Sequence, residues 1–111
     1  LSDLKHHFIL PQETPGSKPS WFGFPITIKK SSKINREKFL KYLEMNNIGT
    51  RLLFGGNLIK QPYMANRKYR VAGSLEVSNR IMQQSFWVGI YPGLKKQNLK
   101  YISKIFHNYC K

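Results

Sequence analysis

Between Ile48 and Pro62 the chain reads IGTRLLFGGNLIKQP, so that Gly49, Arg51, the pair Gly55 and Gly56, Asn57 and Gln61 follow one another closely. Glycine admits left-handed backbone or the close approach of a ligand. Arg, Asn and Gln supply directional donors for carboxylate, phosphate or hydroxyl oxygens. The chemistry available to such a stretch is recognition of an anion or a polyol. The plainer alternative for the same residues is a bulged hairpin with surface polar groups.

Other site chemistries lack their residues. The five carboxylates, Asp3, Glu13, Glu37, Glu44 and Glu76, are dispersed, and none lies in the glycine-rich stretch. No Ser/His/Asp or Cys/His arrangement emerges, so no catalytic residue is assigned. His6 and His7 are adjacent and point to different sides of a helix, with no third ligand near, so no metal site is assigned. His107 is expected on the solvated side of the last helix. The single Cys110 forms no internal disulfide and cannot supply a metal or iron–sulfur site alone.

The formal charge of +14, from 19 Lys plus Arg against 5 Asp plus Glu, attracts anions. Its basic residues are scattered, in short pairs such as Lys29-Lys30 and Lys95-Lys96, without an arginine-rich run, zinc-finger spacing or RNP-type aromatic motif. Specific nucleic-acid recognition is therefore disfavoured, whereas a nucleotide or pyrophosphate ligand would profit from the same field. At 111 residues the chain fits one small domain, too short for a cofactor domain and a substrate domain together. Hydrophobic residues at 41% and 15 aromatics suffice for a core. No apolar run approaches the ~20 residues that span a bilayer, and no signal-peptide core is present. A soluble, cytoplasmic protein outside the membrane is expected. The chain begins at Leu1 without an initiator Met, and is expected to be part of something longer.

These candidates need elements to position them. Residues 1–20 read as the end of an inter-domain helix, from the spacing of Leu1, Leu4, Phe8 and Ile9, followed by a linker with Pro11, Pro15, Gly16 and Pro19. Residues 21–111 read as a small α/β domain. The two-residue alternation of Phe22, Phe24, Ile26 and Ile28 predicts a strand with one apolar face, and Pro25 predicts an edge position or a bulge. Gly23 leaves room for an approach to the opposite face. A helix is predicted over Ile34 to Met45, with Asn35 as its cap. Thr50 to Phe54 predicts a short strand, and Leu58 to Tyr63 its continuation as a hairpin. Tyr69 and Val71 suggest a short extended piece. Ser78 predicts the start of a short helix that leads into a strand from Phe86, and Leu99, Ile102, Ile105 or Phe106, and Tyr109 predict a closing amphipathic helix. The fold class is α+β, a small antiparallel sheet of about three strands with helices packed on one face.

The strings PSWFGFPITIK, IGTRLLFGGNLIKQP, YRVAGSLE and FWVGIYPGLKKQNLKYI, in that order, closely resemble the C-terminal part of the CDP-4-keto-6-deoxy-glucose 3-dehydrases. These form a branch of the DegT/DnrJ/EryC group of vitamin B6-dependent, sugar-modifying enzymes with the aspartate aminotransferase fold. The resemblance covers the chain from about Phe8 onward. It implies a C-terminal small domain in deoxysugar and lipopolysaccharide biosynthesis, folded against a larger N-terminal domain that holds pyridoxal or pyridoxamine phosphate. It also implies a CDP-keto-deoxysugar substrate, an iron–sulfur cluster not ligated by this chain, a reductase partner and a homodimer. In related sugar aminotransferases a His stands two residues before a Phe on the first strand of this domain. Phe22 takes that place here, with Phe24 after it, either as a wall of the sugar pocket or as core. The resemblance makes Arg51 the candidate for a diphosphate or keto-sugar oxygen, and Asn57 for a sugar hydroxyl or the cofactor side. Gln61 and Tyr63 would add polar contacts, with Arg70 and Arg80 weaker.

The leading expectation is thus a domain of a dehydratase, inactive by itself. The alternatives are a sugar aminotransferase of the same group, a stand-alone basic nucleic-acid-binding module whose affinity would fall steeply with salt, and an interaction fragment whose exposed Trp21, Phe22 or Trp87 once met a missing domain.

Overall fold

The computed structural model describes residues 1–111. Strands β1 (Phe8–Ile9), β2 (Phe24–Ile28), β3 (Thr50–Leu52) and β4 (Ser85–Val88) form one antiparallel sheet in the order β1-β2-β4-β3. Helices α1 (Arg36–Met45), α2 (Glu76–Gln84) and α3 (Lys96–Cys110) complete the α+β architecture. On one sheet face Ile26, Ile28, Phe86 and Val88 meet Phe39 and Leu43 of α1 and Ile105 and Phe106 of α3, all buried. Phe39 is the hub of this core. Its ring lies 5.6 Å from Phe8, 5.8 Å from Phe86 and 5.1 Å from Phe106, centroid to centroid, the spacing at which aromatic pairs attract beyond their area burial.

The helix ends follow from local chemistry. Asn35 takes a 3.0 Å hydrogen bond from the Lys38 amide and starts α1, satisfying one of the free amides of the first turn. Asn47, at φ 57, turns the chain out of α1. Arg36, in the first turn, donates from Nη1 to the carbonyls of Met82 and Ser85 and so clasps α1 to the junction where α2 passes directly into β4.

Several sequence expectations are corrected. Leu1 to Leu10 is not a helix: a 3-10 turn at Ser2–Leu4 leads into β1, which pairs Phe8 with Ile28 and Ile9 with Thr27. Burial of Leu4 and Phe8 in the core outweighs the weak preference of so short a segment for a helix, and the sheet gains a fourth strand. Strand β2 lies inside the sheet, not at its edge. Pro25 is tolerated because β1 reaches only to Thr27, leaving no ladder partner beside it on that flank. Leu58 to Tyr63 forms no hairpin; 3-10 turns occupy Leu58–Lys60 and Pro62–Met64, and β3 pairs with β4. Helix α2 begins at Glu76, whose amide donates to Ser74 Oγ at 3.2 Å, and Ser78 lies within it. Tyr69 and Val71 belong to no strand.

Candidate functional site

Cross-strand register sorts the sheet residues onto two faces. Phe24, Val88 and Thr50 form one row, and Ile26, Phe86 and Leu52 another, both on the helix-covered side. Pro25, Trp87 and Arg51 form a row on the opposite side, where directly opposed residues are near neighbours. Trp87 is only half-buried there. Its indole meets the edges of Phe22, centroids 5.2 Å apart at 69°, and Phe54, 5.1 Å apart at 83°.

Phe22 is corrected here as a strand residue. Strand β2 starts two residues later, and Phe22 is 82% exposed, outside the core. Gly23 does admit a close approach: a Cβ at that position would lie 3.3 Å from Trp87 Cδ2. A cleft of about 330 Å³ results, lined by Phe22, Gly23, Thr50, Arg51 and Trp87 together with Gly49 and Gly89. Arg51 is exposed, donates from Nη1 to its neighbour's carbonyl, Thr50 O, at 2.8 Å, and pairs with no carboxylate. Arg51 also borders a second hollow that holds Glu37 and Glu44 of α1, but with no ion-pair partner its fork is free to serve the cleft it shares with Phe22 and Trp87, a combination suited to an anion joined to an apolar or π-faced group.

The structure thus brings Phe22 and Arg51 together. It does not bring the remaining candidates to that cleft. Asn57 is 3% exposed; its Nδ2 donates to Asn79 Oδ1 at 2.9 Å and its Oδ1 accepts from the Ile59 amide, so both ends of the amide are spent on the fold. Gln61 Nε2 donates to Gly55 O at 2.6 Å and closes the turn. Tyr63 and Arg70 are exposed on the excursion between β3 and α2. Gly56 serves the same excursion, with φ 62 and a would-be Cβ only 2.5 Å from Met82 Cβ. From sequence Trp87 was weighed only as an exposed residue of an interaction fragment and Phe54 only as the end of a short strand, and neither was assigned to the site. The signal for Trp87 was its place between Phe86 and Val88, which are buried on the other face. Phe54 carried none, because its position follows from a residue at φ 47 just beyond β3.

A second cavity of about 580 Å³ adjoins the first, between the far end of β4 and α3, with walls that include Ile48, Ile90, Tyr91, Leu94 and Ile102. Elsewhere, His107 is not simply solvated. Its Nδ1 donates to Ser103 O at 2.7 Å and its Nε2 meets Asp3 Oδ2 at 2.5 Å. The hydrogen bond from His107 holds the Asp3 carboxyl below the usual carboxylate range, and the bond to Asp3, then that to Ser103 O, raises His107. Burial pushes the Cys110 thiol up to about 11, so it stays protonated and unreactive at neutral pH. No group of three His, Cys, Asp or Glu is assembled that could hold a metal ion, and no helix is long and apolar enough to cross a membrane.

Comparison with known proteins gives this geometry a context. The chain is 56% identical over 100 residues to the lipopolysaccharide biosynthesis protein RfbH of Salmonella typhimurium, covering 90% of this chain and 23% of that protein. It is 46% identical over 94 residues to the dTDP-4-dehydro-2,6-dideoxy-D-glucose 3-dehydratase of Saccharopolyspora spinosa, covering 85% of this chain and 20% of that one. Its fold matches the E. coli GDP-4-keto-6-deoxy-D-mannose-3-dehydratase with bound hydrated PLP at a TM-score of 0.80 and 24% identity, over 94% of this chain and 27% of that one. The chain spans less than a quarter of the length of the two sequence relatives. The sequence profile of the DegT/DnrJ/EryC1/StrS aminotransferase family matches residues 1–107, and with that span the chain belongs to this family.

Proposed function

We propose that this chain is the C-terminal small domain of a cytoplasmic nucleotide-sugar 3-dehydratase of deoxysugar and lipopolysaccharide biosynthesis. Its cleft forms one wall of the pocket for a keto-deoxysugar nucleotide, facing a cofactor held by another part of the polypeptide. One observation carries this reading. On the sheet face that α1 and α3 leave open, Arg51 stands in register with Trp87, whose ring is bracketed by the exposed Phe22 and Phe54. The aromatic edges would support the apolar face of a sugar ring and keep water from it, while the Arg51 fork neutralises diphosphate charge. No carboxylate, His or Lys lines this cleft, so this wall binds and orients without moving a proton.

A vitamin B6 coenzyme supplies an electron sink for carbanion chemistry when bound. The cleft does not fit one. A coenzyme phosphate, a ring nitrogen and a reactive amine each need a partner, and the lining offers one guanidinium and no carboxylate. Pyridoxal or pyridoxamine phosphate is therefore assigned to the polypeptide outside this chain. The same holds for an iron–sulfur cluster, since Cys110 is the chain's one thiol; a reductase partner and a homodimer are proposed for the parent protein, with no surface assigned to either.

The test uses the whole polypeptide that carries this chain, supplied with pyridoxamine phosphate and a CDP-, GDP- or dTDP-linked 4-keto-6-deoxy sugar. Loss of the 3-hydroxyl oxygen, followed by mass spectrometry, is the expected result. A 4-amino sugar product would instead make the parent a sugar aminotransferase, and failure to turn over any nucleotide keto-sugar would overturn the reading. The 111-residue chain alone is expected to be inactive.

A further inference from the structure

The residues just past the end of the ladder on β2, β4 and β3 are all glycine, and the three line one cleft. Phe24 opposes Val88, and Val88 opposes Thr50, so extending the register by one sets Gly23, Gly89 and Gly49 side by side. By the two-residue alternation their missing side chains belong to the open face, next to Pro25, Trp87 and Arg51. The Trp87 ring leans over Gly23 and accounts for that glycine. The other two are not required by anything in the chain. Neither Gly49 nor Gly89 has a left-handed φ, and a Cβ on either would meet no atom within 4 Å. They contrast with Gly56, whose φ of 62 and contact with Met82 leave no alternative. A glycine that serves neither conformation nor internal packing leaves backbone bare for something from outside.

Gly49 and Gly89 also lie where the two cavities meet, lining both. On one side stand Arg51 and the aromatic edges. On the other is the larger cavity, whose apolar walls carry the neutral amides of Asn47, Gln97 and Asn98 and no charged side chain. Flat apolar walls with amide donors and acceptors match a nucleobase and its ribose better than a charged group. A ligand with an anionic middle and uncharged ends fits the sequence of surfaces from one end to the other.

We propose that the Gly49–Gly89 saddle is the seat of the diphosphate bridge of a nucleoside diphosphate sugar, with its nucleoside in the Ile48–Tyr91–Ile102 cavity and its hexose against Phe22 and Trp87. This rests on the sugar-nucleotide reading above and adds a nucleoside subsite to it. A rival occupant of the saddle is a segment of the remaining polypeptide.

The test places valine at each glycine in the whole polypeptide, since neither has a left-handed φ and a Cβ on either meets nothing within 4 Å. CDP, GDP and dTDP, which lack the hexose, serve as titrants in calorimetry, beside a thermal melt. Gly49→Val and Gly89→Val are expected to keep the wild-type melting temperature and to weaken the best-bound nucleotide by about tenfold or more, as overfilling a packed site does. Tyr91→Ala is expected to weaken the same nucleotide. Unchanged nucleotide affinity in both valine variants would overturn the proposal; unchanged affinity with a lowered melting temperature would do so in favour of a polypeptide occupant. Nucleotide-sugar turnover by the wild type separates the two levels: if it is present while the valine variants bind normally, the subsite alone fails, and if it is absent, the functional reading fails with it.

Discussion

Arg51 of β3 lies directly opposite Trp87 of β4 on the uncovered face of the sheet, with no carboxylate paired to its guanidinium. Its charge is thus available to a ligand, and its removal should separate binding from folding. In the whole enzyme Arg51→Ala is expected to change stability by less than about 0.5 kcal/mol, as for exposed sites without partners. The KM for the sugar nucleotide is expected to rise roughly 10- to 100-fold, the equivalent of one hydrogen bond to a charged group. Arg51→Lys should recover only part of this, because an ammonium cannot reproduce the planar fork. Steady-state kinetics beside a thermal melt reads both quantities.

Asn57 behaves in the opposite way. With 3% exposure and its amide divided between Asn79 and the Ile59 amide, Asn57→Ala leaves partners unsatisfied and should cost about 1–3 kcal/mol of stability. Urea unfolding measures the cost. An Asn57→Ala protein as stable as wild type, with KM raised, would return Asn57 to the list of ligand contacts.

Two phenylalanines provide a matched contrast. Phe39 is fully buried among Phe8, Phe86 and Phe106, and Phe39→Ala should cost about 3–5 kcal/mol, a large share of the roughly 5–15 kcal/mol that holds a domain folded. Phe22 is 82% exposed and meets only the edge of the half-buried Trp87 in the aromatic set. Phe22→Ala should cost less than about 1 kcal/mol while weakening substrate binding. Denaturant midpoints and KM, measured on both variants, test the assignment.

The Asp3–His107 contact ties the first turn to α3 and predicts a pH signature. Asp3 is lowered from 3.8, so its contribution is present above that value and is lost as pH falls through the lower folded one. His107 is raised from 6.5, so its contribution is complete below that value and is lost as pH rises through the higher folded one. Both apply in full between 3.8 and 6.5. Stability followed by urea midpoint should therefore decline on either side of that window, modestly because both groups face solvent. Asp3→Asn and His107→Ala should each flatten the profile, and an unchanged profile in both would refute the link.

Much of this was readable along the chain. The alternation from Phe22 to Ile28, the Asn35 cap of α1 and the three- and four-residue spacing of α3 are local signals, carried by neighbours in sequence; both helices formed where they predicted, and the strand formed from Phe24, two residues after its alternation began. The four ordered strings also sufficed for family resemblance, and it was the resemblance that raised Arg51 above the other polar residues of its stretch. Tertiary structure decided what depends on partners distant in sequence. Phe8 entered a strand because Ile28 and the aromatic core were there to receive it. Asn57 turned inward because α2 brought Asn79 within reach. Gly23, Gly49 and Gly89 acquired a common meaning only when β2, β3 and β4 were laid in register. A side chain's type and spacing determine which face it prefers, but which other residues share that face is set by strand pairing, whose cost and reward are non-local.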